Sequence, residues 1–341
     1  MSSLITHHLI DHGFKPVAPE DKPVIKSYFQ KENSNFSDYS FSMLYAWSAS
    51  GTVFYRRFGE TLMIARAIRG KIDFLYPPLG ASNSEEFQAA VSQCAETLSD
   101  INRKSLDALS GPAASGGFSF KILSIDENKI KWADKLNLEN YKIEINEDLP
   151  DYIYEYQKLI DLSGKKYKNK RENINKFVRS YPNYTIEPIC EENIGPILKF
   201  LSRWYIENKP QRQIHISELF DINTVNFEKN YILESYQSRR ILRSFKNLDI
   251  KGECIKLYSG IVGFIIGEQT SSDTFTVLIE KVDNNFFGLS QLLFREFLVR
   301  NAGCEFINTS DDSGMPGLKV LKESYQPLYM KKRYFLNLIS C

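Results

Sequence analysis

The chain has 341 residues, of which 43% are hydrophobic and 25% charged, and its formal net charge is +1. That is the composition of a globular protein long enough for two ordinary cores. No run approaches 18 apolar residues, so a bilayer-spanning helix is excluded, and near-neutrality gives no overall pull towards polyanions. The start, Met1-Ser-Ser-Leu-Ile-Thr-His7-His8, lacks a basic segment followed by a long apolar one, so no signal peptide is expected. Five cysteines (Cys94, Cys190, Cys254, Cys304 and Cys341) are widely spaced, which fits reduced thiols and a cytoplasmic location and argues against a zinc site.

The expected elements run as follows. A helix over about 20–30 has Glu20 and Asp21 at its start and Pro23 in its first turn. A short helix follows at 41–49. Strands at 52–58, 61–67 and 71–76 are separated by Gly59-Glu60 and Arg69-Gly70 turns, and Pro77-Pro78 ends the run. An amphipathic helix at 84–98, with Ser84 as its cap, carries Phe87, Val91 and Leu98 on one face. A strand at 118–125 and a helix at 129–136 complete the first half. The second half has helix 168–180, strand 185–188, and helices 191–208 and 228–243. Three strands follow at 252–258, 260–268 and 274–282, with a tight Ser259-Gly260 turn. Helix 288–302, strand 305–309, helix 315–324 and strand 328–336 finish the chain. The first residues, with His7, His8 and His12, are expected to fray.

Helices, then a three-strand meander, then helix, strand, helix and strand is an order that resembles a GNAT-type acyltransferase domain, and it occurs twice. The expected fold is α/β (α+β): two tandem GNAT-like domains, each a mixed, mostly antiparallel twisted sheet flanked by helices. Residues 1–155 would form a mainly architectural N-terminal domain and residues 156–341 the domain with the active cleft. The joint, near 150–164, has no Gly/Ser-rich spacer, which favours rigid packing.

Three ordered blocks sharpen this reading. The first is Asp151-Tyr152-Ile153-Tyr154, then Leu159-x-x-Leu162-x-Gly164-Lys165-Lys166, then Lys168-x-Lys170-Arg171-x-Asn173-Ile174-Asn175-x-Phe177. The second is Ile279-Glu280-Lys281-Val282-Asp283 with Gly288. The third runs from Phe306-Ile307-Asn308 through Asp311-Asp312-Ser313-Gly314 to Gly317-Leu318-Lys319-Val320-Leu321-Lys322, Ser324-Tyr325 and Pro327. Together with Phe14-Lys15-Pro16, Glu20-Asp21-Lys22-Pro23, Ser40-Phe41, Leu44-Tyr45 and Trp47, they resemble the C-terminal synthase domain of phosphatidylglycerol lysyltransferases and its soluble relatives. The resemblance implies an aminoacyl-tRNA donor and a phospholipid-like acceptor. Those lysyltransferases carry a membrane-spanning part that this sequence lacks, so any contact with anionic lipid would be peripheral.

Several groups could do chemistry. Asn285-x-x-Gly288-x-Ser290, between a strand and a helix, is placed like the loop whose N–H groups cradle the pyrophosphate of coenzyme A; it could equally be an ordinary helix start. Glu280, at the end of a central strand, could accept a proton from an attacking amine or hydroxyl, or form a strand-end salt bridge with Lys281. Asp311 and Asp312 could anchor a cationic substrate group; one of the two is expected to cap the 315–324 helix. Lys319, Lys322 and Tyr325 fall three apart, as on one helix face, where lysines could hold phosphate and the tyrosine could protonate a leaving oxygen; it could equally be a solvated basic face with Tyr325 half buried. Five of the seven residues from Lys165 to Arg171 are basic and have tyrosines interleaved, a surface for a tRNA acceptor end or a lipid headgroup, or simply a solvated helix start. His215 stands alone, so a Ser-His-Asp system is not expected.

The catalytic set is therefore Glu280, Tyr325 and Asp312. The donor- and substrate-binding set is Lys168, Lys170, Arg171, Asn173, Lys281, Asn285, Gly288, Ser290, Asn308, Asp311, Lys319 and Lys322. No metal and no tightly bound cofactor are expected; aminoacyl-tRNA or acyl-coenzyme A would be a co-substrate. The expected activity is aminoacyl transfer by direct attack. An acyl-coenzyme A N-acyltransferase and a binding protein without turnover are the alternatives.

Overall fold

The computed structural model describes residues 2–48, 53–68, 71–108, 119–133, 141–208, 227–258 and 260–339. The Arg69-Gly70 turn, His215, Ser259 and Cys341 lie outside the described residues. The first elements are α1 (Ser2–Asp11), β1 (Lys15–Pro16), α2 (Lys22–Glu32), α3 (Phe41–Trp47), β2 (Val53–Phe58), β3 (Thr61–Ile68) and β4 (Lys71–Phe74). Then come α4 (Ser84–Ala108), β5 (Ser119–Ile125), α5 (Glu127–Ala133), β6 (Tyr141–Glu155), α6 (Tyr156–Asp161) and α7 (Lys168–Ser180). The chain continues with β7 (Thr185–Pro188), α8 (Glu191–Glu207), α9 (Phe227–Arg243), β8 (Lys251–Leu257), β9 (Gly260–Gln269) and β10 (Thr274–Val282). It ends with α10 (Leu289–Asn301), β11 (Phe306–Asn308), α11 (Pro316–Glu323) and β12 (Tyr329–Ile339).

Three differences from the sequence reading have physical causes. The N-terminus is helical: Leu9 is fully buried, and the His12 ring lies 2.8 Å from both the His8 carbonyl and the Asp100 carboxylate. Asn83, not Ser84, caps α4 by accepting the Glu86 N–H at 2.9 Å. β6 was not expected, because charges interrupt its alternation; Tyr152 and Tyr154 nevertheless turn inward and are buried.

The chain divides into two compact units. One is Met1–Ser34 with Trp47–Leu149 and Lys332–Cys341; the other is Asn35–Ala46 with Pro150–Lys331. A single crossing at 155/156 would have kept each half of the sequence intact. Instead residues 332–339 of β12 close the first unit beside β5, and residues 150–155 of β6 close the second beside β11. The short segment 35–46 joins the second unit because two buried carboxylates there need its donors. Asp151 accepts the Ser37 N–H at 2.6 Å, and Glu268 accepts the Ser40 hydroxyl at 2.7 Å.

The first unit has the strand order β1-β2-β3-β4-β5-β12 and a core built on Phe14, Phe54, Phe74, Phe87, Val91 and Ile122. The second has the order β6-β11-β10-β9-β8-β7, antiparallel except for β10 with β11. Its core gathers Phe177, Ile265, Phe275, Leu293, Phe297 and Ile307 from α7, the central strands and α10. Among the described residues no helix is long and apolar enough to cross a membrane.

Candidate active site

In the second unit β10 and β11 run parallel but part early. Their register pairs Thr274 with Phe306, Phe275 with Ile307 and Thr276 with Asn308, and goes no further among the described residues. On its other edge β10 stays paired with β9 as far as Val282, through a bulge between Val277 and Ile279. A bulge bends its strand and re-aims the side chains beyond it. β11 stops because Asn308 Oδ1 takes the Ser310 N–H at 2.6 Å, and Ser310 enters the left-handed region at φ 62. Between Val277–Val282 and Thr309–Asp311 a cavity of about 550 Å³ opens, floored by α10 and α11.

Glu280 reaches into this gap. Its Oε1 accepts the Ser290 hydroxyl at 2.7 Å. Burial pushes its carboxyl up to about 7, against the opposing pull of Ser290, Lys281 and Lys322. Lys281 lies at one end of the cavity, 2.6 Å from Glu234 Oε1 and 4.7 Å from the Trp204 ring centre. Tyr325 is 9% exposed, with its ring 5.4 Å from that of Phe294. Burial, and then the Glu280 charge, push its phenol well above the usual range, so it stays protonated at neutral pH.

Lys322 has a different place from the phosphate-holding one expected. Its Nζ donates to three successive carbonyls, those of Thr309, Ser310 and Asp311, at 2.5, 3.1 and 2.5 Å. An ammonium has three protons, and all three are used in shaping the wall of the gap. Burial pushes it down to about 8, although Asp311, Asp151, Asp312 and Glu280 oppose this. Tyr325 lies beyond the end of α11, and Lys319 is exposed, so the three do not share a helix face.

Neither Asp311 nor Asp312 caps α11; its cap position is Met315, with no side-chain bond. Asp311 lines the cavity and takes the Ser313 N–H at 2.8 Å. Asp312 is 3% exposed, with one oxygen on the Tyr152 hydroxyl at 2.7 Å and the other on the Gly314 N–H at 2.9 Å. Asn308 is fully buried and ties Asp151 to the Asn35 carbonyl.

The loop before α10 is closely packed at Gly288. Gly288 has φ +88, and a Cβ there would meet the Asn173 carbonyl oxygen at 2.2 Å. Its glycine therefore serves the close approach of α10 to α7. The Asp283 carboxylate accepts both the Asn285 N–H, at 3.0 Å, and its side-chain amide, at 2.9 Å.

No residue of the basic run lines the cavity. Lys168 is exposed and pairs with Glu172 at 3.5 Å. Arg171 turns back to the carbonyls of Leu162 and Gly164, pinning the loop before α7. Lys170 is buried against Tyr325. The sequence reading missed Trp204 and Glu234, which close one end of the cavity from α8 and α9. No local signal marks them, since Glu234 meets Lys281 only through the fold.

Residues 30–337 match the family described as phosphatidylglycerol lysyltransferase, C-terminal. The chain belongs to that family. A conserved protein of unknown function from Bacteroides thetaiotaomicron VPI-5482 is 23% identical, with a TM-score of 0.78 over 95% of this chain and 99% of that one. L-PGS from Bacillus licheniformis is 15% identical, with a TM-score of 0.55 over 84% of this chain and 83% of that one. An uncharacterized protein of Mycoplasmoides gallisepticum is 24% identical over 202 residues, and the match spans 58% of this chain and 60% of that relative. The fold is thus shared with L-PGS, in keeping with the α/β (α+β) class and the acyltransferase order of elements expected from the sequence, and the family is one of acyl transfer.

Proposed function

We propose that this family member transfers an aminoacyl group from aminoacyl-tRNA to a hydroxyl or amine, with a phospholipid-like molecule as the favoured acceptor. The observation that carries the reading is Glu280, a carboxyl near 7, standing in the gap where β10 and β11 separate. A group that is half ionised at neutral pH is suited to general-base work. The acceptor oxygen or nitrogen attacks the ester carbonyl carbon and loses its proton to Glu280. The carbonyl–ribose C–O bond then breaks, and the departing ribose oxygen takes a proton from Tyr325. Ser290 holds the carboxylate in line through its 2.7 Å bond.

The acids lining the cavity suit an aminoacyl donor, which carries an α-ammonium. Glu234 pairs with Lys281 and Lys322 donates to three carbonyls, while Asp311 and, when ionised, Glu280 line the same cavity and can meet a cation such as an α-ammonium.

The test incubates the protein with radiolabelled aminoacyl-tRNA pools and with a panel of labelled acyl-coenzyme A donors, each with and without phosphatidylglycerol vesicles. Loss of label from one aminoacyl-tRNA, with label appearing in lipid, is the expected result. Turnover of a coenzyme A donor alone would replace the reading, and no turnover of any donor would leave a binding protein.

A further inference from the structure

Lys170 is a buried cation without a counter-charge. It follows the apolar stripe of α7, one turn before Ile174 and two before Phe177, and is 8% exposed. Among the described residues no carboxylate lies within ion-pair distance of it. Its one hydrogen bond goes to Ser324 Oγ at 2.7 Å, and that hydroxyl spends its own proton on the Leu321 carbonyl at 2.5 Å. Its Nζ stands 3.9 Å from the centre of the Tyr325 ring. An ammonium held in such surroundings is costly, and burial pushes it down to about 8.

Around Tyr325 the other titratable groups, Glu280, Tyr154 and Tyr167, all disfavour the phenolate. The Tyr167 hydroxyl also fixes the Tyr325 backbone, donating to its carbonyl at 2.9 Å. Lys170 is a cation against the face of the same ring. A cation against the face of an aromatic ring is attracted to its electrons, and more strongly as the ring's oxygen becomes anionic.

We infer that Lys170 is a positioning residue acting through Tyr325: its ammonium fixes the ring at the cavity wall and draws charge from the phenol, making the hydroxyl a better proton donor to the departing oxygen. This rests on the role given to Tyr325 above. It also accounts for a lysine on an apolar stripe, where methionine would pack at no electrostatic cost.

The experiment uses Lys170→Met, which keeps the length of the stem and removes the charge. Single-turnover transfer is measured for the wild type, K170M, Tyr325→Phe and the double variant. K170M is expected to slow turnover about tenfold, with KM unchanged, and to add nothing in the Y325F background. It is also expected to raise the melting temperature, since a buried charge is lost. A polyfluorinated tyrosine at position 325, chosen to ionise while Lys170 is still charged, supplies a readout that needs no substrate. Its phenol should titrate at higher pH in K170M than in the wild-type background. Equal slowing in both backgrounds, or an unchanged phenol titration, overturns the inference. If no donor is turned over at all, the titration decides it alone.

Discussion

Replacing Glu280 with Gln probes the gap between β10 and β11 most directly. The wild-type carboxyl lies near 7 in the folded chain, against 4.5 for an exposed glutamate. Between those values the folded chain holds more protons than the unfolded one. Stability therefore falls as pH rises through this window, is fully present below about 4.5, and stays reduced above about 7. The loss corresponds to about 3 kcal/mol, because each unit of displacement is worth about 1.4 kcal/mol. Glutamine keeps an oxygen for the Ser290 hydroxyl and cannot ionise. Urea unfolding at a series of pH values should show E280Q matching the wild type near pH 4.5 and exceeding it by about 3 kcal/mol near pH 8. Transfer should fall by about 10² to 10⁴, the usual worth of a general base. A variant that is slower and also less stable at pH 8 would mean that Glu280 is a structural ion-pair partner. Unchanged turnover would refute its place in the reaction.

Three further outcomes follow from individual contacts. Lys322→Met leaves the carbonyls of Thr309, Ser310 and Asp311 without their shared donor, and should lower stability by about 2 kcal/mol even after relief of a buried charge; a denaturant midpoint equal to wild type would refute this. Gly288→Ala combines φ +88 with a 2.2 Å approach to the Asn173 carbonyl, and should cost about 3 kcal/mol, read as a fall in melting temperature. Lys168→Ala removes an exposed charge, so stability should hold within about 0.5 kcal/mol. If the basic run meets tRNA, the salt slope of binding should become shallower by about 1 in that variant, and an unchanged slope would take Lys168 out of the interface.

Local signals were enough to specify much of this protein. Helix α7 and strands β7 and β10 start and stop where apolar spacing and turn residues put them, because those cues act over a few residues. The blocks around Tyr152, Glu280 and Asp311 carried the family for the same reason: they are contiguous. Glu280, Lys281, Ser290, Asp311, Lys322 and Tyr325 do meet at one cavity.

What each of them does there depended on contacts made across the chain. Lys322 and Lys168 look alike in sequence, yet one is held by three carbonyls at the cavity wall and the other is in water. Asp312 lost its expected freedom to the hydroxyl of Tyr152, 160 positions away. Gly288 was open in sequence between an anion cradle and an ordinary helix start, and only the fold shows the α7 backbone packed against it. The 35–46 segment is likewise joined to the second unit by buried donors and acceptors, and β12 to the first by pairing with β5, not by neighbours along the chain. Short-range preference fixes which segments become helices and strands. Long-range burial decides which charges are left for a substrate.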